Sequence, residues 1–178
     1  MTDPETMTAA VVELARRQTA HFYGKYRGIV VDNRDPEGQG RLRVKVPDLL
    51  GDQPTGWALA CVPYAPPGKG LYCLPETGDP VWVEFEGGQP SKPIWTGGFW
   101  GQGQGPGAAP SVKRWETQGG HHITLDDSAG DERVEIVDAH GGTIRLSAQG
   151  IELTKGPMKV QITEAQISFN DGALTVMS

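Results

Sequence analysis

Cysteine is nearly missing from this sequence. Cys61 and Cys73 are the two present in 178 residues, too few for a disulfide framework, and no CxxC or Cys/His cluster marks a structural zinc site. Both read as reduced, buried small hydrophobes. Long apolar runs are missing as well, and nothing approaches the roughly 20 residues that span a bilayer. Asp3 and Glu5 stand where a signal peptide carries positive charge, with no apolar core after them, so synthesis in the cytoplasm without signal-directed export is expected. Basic charge is short too: 16 Lys and Arg face 22 Asp and Glu, a net charge of −6, the reverse of the footprint left by duplex nucleic-acid binding. Hydrophobic residues make up 37% of the chain, enough for a modest core but thin for one large globule. Glycine and proline are the abundant residues, 25 and 14 of them, and that excess favours strands, turns and loops over helices.

The chain divides into four stretches. Residues 1–22 contain one helical pattern, from Thr6 to about Phe22, in which Val11, Leu14, Gln18 and Phe22 fall on one stripe. Thr6 or Thr8 can cap it. A lone helix of this length is marginal in water and must dock, on the rest of the chain or on another protein.

Residues 23–100 carry five β-rich runs: 26–32, 41–46, 57–62, 79–86 and 92–95. Leu42, Val44 and Val46 alternate with Arg41, Arg43 and Lys45, and Val81, Val83 and Phe85 alternate with Trp82 and Glu84. The polar cluster 33–40, rich in Asn, Asp, Pro and Gly, closes a hairpin between the first two runs. Pro80 and Pro93 sit at strand starts, where a missing N–H is tolerated. Five short strands separated by turns predict a small barrel. Residues 101–114 open with GQGQGPGAAP, a linker or extended crossover without a hydrophobic anchor.

Residues 115–178 form a ladder of apolar–x–apolar pairs: Ile123/Leu125, Val134/Ile136, Ile144/Leu146, Ile151/Leu153, Val160/Ile162, Ile167/Phe169 and Leu174/Val176. Successive pairs begin 11, 10, 7, 9, 7 and 7 residues apart, a repeat in kind but not in period. Each predicted strand is apolar on one face only, and only two residues deep. A single chain meandering through these strands leaves one greasy side that needs a second layer, and the sequence supplies none. Three chains sharing an axis would meet that need, because a closed prism buries the pairs and removes exposed sheet edges. The alternative is a β-sandwich half that pairs with the barrel, which the Gly-rich linker and two-residue stripes fit poorly.

No catalytic constellation stands out. Asp126/Asp127 and Asp131/Glu132 are adjacent acids in a turn-rich stretch and read as solvated loop charge rather than the paired carboxylates of a glycosidase. His121 and His122, as strand neighbours, point to opposite faces, so they do not readily ligate one ion within a chain. One of them facing a shared axis could form a three-His ring. His140 reads as a turn residue. No Gly-rich stretch joins a strand to a helix as a phosphate loop does. Catalytic, metal and cofactor assignments are therefore none. Small barrels often bind single-stranded nucleic acid, and Trp57, Trp82, Trp95 and Trp100 could stack on bases. Yet residues 23–100 carry eight Lys/Arg against nine Asp/Glu, and tryptophans in strand-rich oligomers pack at interfaces more often.

The ordered motifs point to a family. The run YRGIVVDNRDPEGQGRLRVKVP from Tyr26, then WALACVPYA, then GDPVWVEFEGGQPSKPIWTGGFWG, resembles the oligonucleotide/oligosaccharide-binding (OB) barrel of contractile-tail spike proteins. These are the phage baseplate assembly protein V family and the spike part of type VI secretion valine–glycine-repeat proteins. Gly28-Ile29-Val30, Asp35-Pro36, Gly40-Arg41-Leu42 and Val44 fill the hairpin pattern; Gly78-Asp79, Val81, Val83, Phe85 and Pro93 fill the later one. Residues 119–127 and 133–138 resemble the start of the family's trimeric β-helix.

The resemblance implies an all-β chain: an N-terminal helix, a five-stranded OB-type barrel, then an intertwined trimeric β-helix (β-prism) needle. It implies a non-enzymatic homotrimer, the central spike of a phage tail-like contractile injection machine. Its axis core would comprise Ile123, Leu125, Val134, Ile136, Ile144, Leu146, Ile151, Leu153, Val160, Ile162, Ile167 and Phe169. Val11, Leu14 and Phe22 would contact a baseplate hub protein. Leu174, Val176 and Met177 would receive a proline–alanine–alanine–arginine (PAAR) repeat tip protein. A target membrane would be met only on puncturing, by an assembled virion-like or extracellular particle. Long phage spikes insert a lysozyme domain before the needle, and type VI spikes carry a hub module before the barrel. Here a short linker and 22 residues stand in those places, which implies the short version with hub and spike as separate chains. An effector-delivering type VI-like spike and an oligonucleotide-binding OB barrel are the alternatives.

Overall fold

The computed structural model describes residue 7 and residues 21–177. The helix expected over residues 6–22, with Val11 and Leu14, lies outside the described residues apart from Met7, His21 and Phe22. The chain divides into two compact units, Met1–Gly105 and Pro106–Ser178, and the described part is almost wholly β.

The first unit holds β1 (Tyr26–Asp32), β2 (Arg43–Lys45), a single helical turn α1 (Pro47–Leu50), β3 (Leu59–Ala60), β4 (Pro80–Phe85) and β5 (Pro93–Gly98). The strands lie in the order β2-β1-β4-β5-β3, all antiparallel neighbours except the parallel pair β3–β5. Two hydrogen bonds between Leu42 and Ala58, at 3.1 and 2.7 Å, join the ends of this row and bring the sheet round on itself as a barrel.

The alternation in the sequence decides what fills it. Leu42, Val44, Val46, Val81 and Val83 are fully buried, with Val30, Phe85 and Trp95 beside them. β1 turns Gly28 inward, and a Cβ there would lie 2.3 Å from Val44 Cγ1; the barrel is so narrow at this level that only glycine fits. Trp95, named among the tryptophans that could stack on bases or pack at an interface, is a core residue whose indole N–H donates to the Gly40 carbonyl at 3.0 Å. Trp82 packs against Phe99 with the rings tilted by 41° and their centroids 4.7 Å apart, the Arg27 guanidinium lies over both rings, and Arg41 lies over Trp57.

The loop between β1 and β2 is organised by Asp35. Its carboxylate accepts backbone N–H bonds from Glu37, Gln39 and Arg41 and pairs with the Arg41 guanidinium at 2.6 Å. The Arg41 hydrogen bond, reinforced by the three amides, holds the Asp35 carboxyl well below the usual carboxylate range. Cys61 and Cys73, expected to be buried, are both exposed. The reason is alternation: Ala60, Val62 and Leu74 pack against the core, which leaves the residues beside them facing water.

The second unit is one eight-stranded antiparallel sheet whose strands follow in chain order. They are β6 (Val112–Glu116), β7 (His122–Asp126), β8 (Arg133–Val137), β9 (Gly142–Ser147), β10 (Gly150–Lys155), β11 (Met158–Ile162), β12 (Gln166–Phe169) and β13 (Leu174–Met177). Seven of these are the seven apolar pairs of the sequence. The eighth, β6, starts at Val112, upstream of the ladder, and has a single large apolar residue, Trp115, on the ladder's face.

Candidate assembly face

In an antiparallel sheet, residues directly opposite one another share a face, so the pairing register reads out two rows. One runs Trp115, Ile123, Ile136, Ile144, Leu153, Val160, Phe169, Leu174; the other runs Lys113, Leu125, Val134, Leu146, Ile151, Ile162, Ile167, Val176. Both cross all eight strands without a register shift. At about 4.8 Å per strand each row is about 34 Å long.

The twelve residues expected at a trimer axis all fall in these rows, on one face. Val160 is half-buried and the other eleven are between 36% and 49% exposed, too much for aliphatic side chains in a finished core. A contiguous apolar strip of this kind on a single chain marks an interaction surface. Leu174 and Val176 continue the rows on β13. Met177 does not: it lies opposite Gln166, on the other face and 77% exposed, so the expected tip-binding trio is split by strand alternation. Of the three expected hub contacts, Phe22 alone lies among the described residues. It is half-buried on its own barrel, its ring 6.2 Å from Tyr26 and 6.0 Å from Phe85, and its N–H donates to the Gly88 carbonyl at 2.8 Å.

Apart from Lys113 at one end, the two rows are Trp, Ile, Leu, Val and Phe, which give the face shape but little charge. The opposite face carries the charge, which the ladder of pairs did not reveal. Across its middle, Thr124, Glu135, Arg145, Glu152, Gln161 and Ser168 stand in register, so that Arg145 lies between two glutamates. Lys159 pairs with Glu152 at 2.7 Å and Arg145 with Asp131 at 3.2 Å. Asp126, expected as a solvated loop charge, is 6% exposed and bound by Arg133 at 2.9 Å. Hydrogen bonds from Ser128, with Arg133 behind them, lower its pKa. At the turn between β8 and β9, Asp138 accepts N–H bonds from Gly142 at 2.5 Å and His140 at 3.0 Å, and pairs with Lys155 at 3.2 Å. Chiefly through the Gly142 amide, its pKa falls to about 2.

His122 lies opposite Val137 and Glu116, on the charged face, with Nδ1 3.2 Å from the Gly120 carbonyl oxygen. His121 accepts the Ala139 N–H at 3.3 Å, and its ring meets that of His140 edge-on at 6.1 Å. Among the described residues no group of three His, Cys, Asp or Glu could hold a metal ion. No described helix is long and apolar enough to cross a membrane.

Two family models match these two units. Residues 26–100 match a type VI secretion system/phage-baseplate injector OB domain, and residues 113–175 match a phage baseplate V C-terminal trimerisation domain. The chain belongs to the phage baseplate V family. The barrel of the first unit is that family's OB domain, and the sheet bearing the two apolar rows is its trimerisation domain, a part of baseplate spikes in phage-tail-like machines. Among curated proteins no sequence matches this chain significantly.

Proposed function

We propose that the chain is the trimeric central spike of a contractile injection machine, with a mechanical rather than a catalytic role. The observation that carries this reading is the pair of in-register apolar rows, exposed along one face of a sheet that matches a trimerisation domain. Three such faces turned inward close a prism in which Ile, Leu, Val and Phe fill a dry axis, and the charged faces with Glu135, Arg145, Glu152 and Lys159 meet water. Desolvating the apolar rows drives assembly, and closure leaves no sheet edge for stray pairing.

In this reading, residues 23–100 form a barrel collar, 101–114 the connection and 115–178 the needle. The needle transmits the force of sheath contraction and helps puncture the target envelope. The N-terminal segment with Val11 and Leu14 meets a separate hub protein. Leu174 and Val176, at the last strand of the rows, form the platform for a PAAR-repeat tip protein. Assembly takes place in the cytoplasm, before the particle acts outside the cell. A needle of this kind needs stiffness and shape from its residues, not a nucleophile or a cofactor.

Absolute mass from light scattering on a sizing column tests the reading. Three times the 19.1 kDa of one chain is the expected result. A monomer whose sheet is folded and protected from protease would overturn it.

A further inference from the structure

We infer that the β6 end of the apolar rows is an anion site shared by three chains, in which three Lys113 ammonium groups hold one tetrahedral oxyanion, such as phosphate or sulfate, on the three-fold axis. The inference rests on the trimeric reading proposed above. Of the sixteen residues in the two rows, Lys113 alone is charged. Its place is set by strand pairing: Lys113 lies opposite Leu125 and Trp115 opposite Ile123, so the lysine shares the apolar face of β6 with the tryptophan. The acids at this end of the sheet belong to the other face and have cations of their own. Glu116 pairs with Arg114 at 3.0 Å and Asp126 with Arg133 at 2.9 Å. The Lys113 ammonium donates to the Pro110 carbonyl, and among the described residues no carboxylate pairs with it.

Closing the prism gives this lysine new neighbours. β6 has five residues, a length of about 17 Å, and three such strands closed as a triangle put the middle of each side about 5 Å from the axis. An extended lysine side chain spans that distance, so the three ammonium groups can meet. Like charges drawn into an apolar interior are strongly disfavoured without a partner. A lysine carries three N–H donors and no acceptor, so the three cannot satisfy one another. With one donor of each spent on Pro110, six remain. Donors related by a three-fold axis match three oxygens of a tetrahedral anion whose fourth oxygen lies along that axis, and hydrogen bonds between ions are short and strong. One chain supplies a single ammonium in water, so the site is incomplete without the other two copies. A lysine on an edge strand also wards off stray strand pairing, a role that asks for no anion.

The test titrates the full chain with inorganic phosphate at neutral pH, against sodium chloride of matched ionic strength, with the mass read by light scattering in both. Calorimetry should find one phosphate per three chains. The assembly constant should rise about tenfold for each tenfold step of phosphate above its dissociation constant. Lys113→Met and Lys113→Gln should stay trimeric, take up no phosphate and keep only the general stabilisation that phosphate gives by exclusion from protein surfaces. Lys113→Arg should retain the site. A wild-type trimer that binds no phosphate, binds one per chain, or binds it equally well after Lys113→Met overturns the site and leaves the trimer standing. A monomeric wild type overturns the trimeric reading itself. The wild-type stoichiometry decides between these outcomes even where a variant fails to assemble.

Discussion

Ile144 lies between Ile136 and Leu153 across the sheet, at the centre of one apolar row. An aspartate there would bring three carboxylates to a shared dry axis without partners, at several kcal/mol per buried ion. Ile144→Asp should therefore leave the purified chain a monomer by light scattering. Ser147→Asp, on the opposite face of the same strand and across from Arg133, should leave the oligomer intact. If both variants keep the wild-type mass, the rows do not face a partner. Inside the barrel the comparable residue is Leu42, fully buried. Leu42→Ala should cost about 2–5 kcal/mol, read as a lower urea midpoint followed by tryptophan fluorescence; a loss well under that range would mean that the core collapses to fill the cavity. These residues were legible in the sequence because a period of two maps directly onto the faces of a strand. Cys61, Cys73 and Met177 were not, since residue type suggested a place that alternation from Ala60, Leu74 and Val176 overrules.

Elements depend here on carboxylates that tie off turns. Asp138 closes the β8–β9 turn through the Gly142 and His140 amides and Lys155, and its pKa falls from 3.8 to about 2. A carboxyl whose folded value lies below its unfolded value adds stability above the unfolded value and loses it as pH falls through the folded one. The turn should therefore hold at neutral pH and through pH 4, then loosen towards pH 2. An NMR titration should show the Gly142 amide shifting with a midpoint near 2; a midpoint near the ordinary 3.8 would remove Asp138 from this role. The Asp35 turn works in the same direction, with the Arg41 guanidinium as the main cause. The sequence marked both turns by their Asp and Gly residues, but not the partners that make each carboxylate a hub, because those partners come from side chains and amides brought close only by folding. Strand β6 escaped for a related reason: with Trp115 as its one large apolar residue on that face, it becomes visible only through pairing with β7.

At the scale of the whole molecule, the two units solve the problem of a small core in different ways. The barrel buries Val30, Leu42, Val44, Val81 and Val83 within one chain, so its unfolding is unimolecular. The sheet leaves its apolar rows exposed within one chain, and in the proposed trimer their burial needs two further copies. Mass action then makes the stability of the second unit depend on protein concentration and leaves that of the barrel unchanged. For three chains that assemble and fold together, each tenfold rise in concentration favours the trimer by about 2.8 kcal/mol per trimer, two factors of ten in the equilibrium. Denaturation at several concentrations should accordingly resolve two transitions. The one reported by the barrel tryptophans Trp57, Trp82 and Trp95 should stay fixed, and the one reported by Trp115, at the head of an apolar row, should move to higher denaturant as the chain is concentrated. Replacing Trp115 with Phe separates the two signals. A Trp115 transition that ignores concentration would mean that the sheet is stable within one chain, and the shared axis would fall with it.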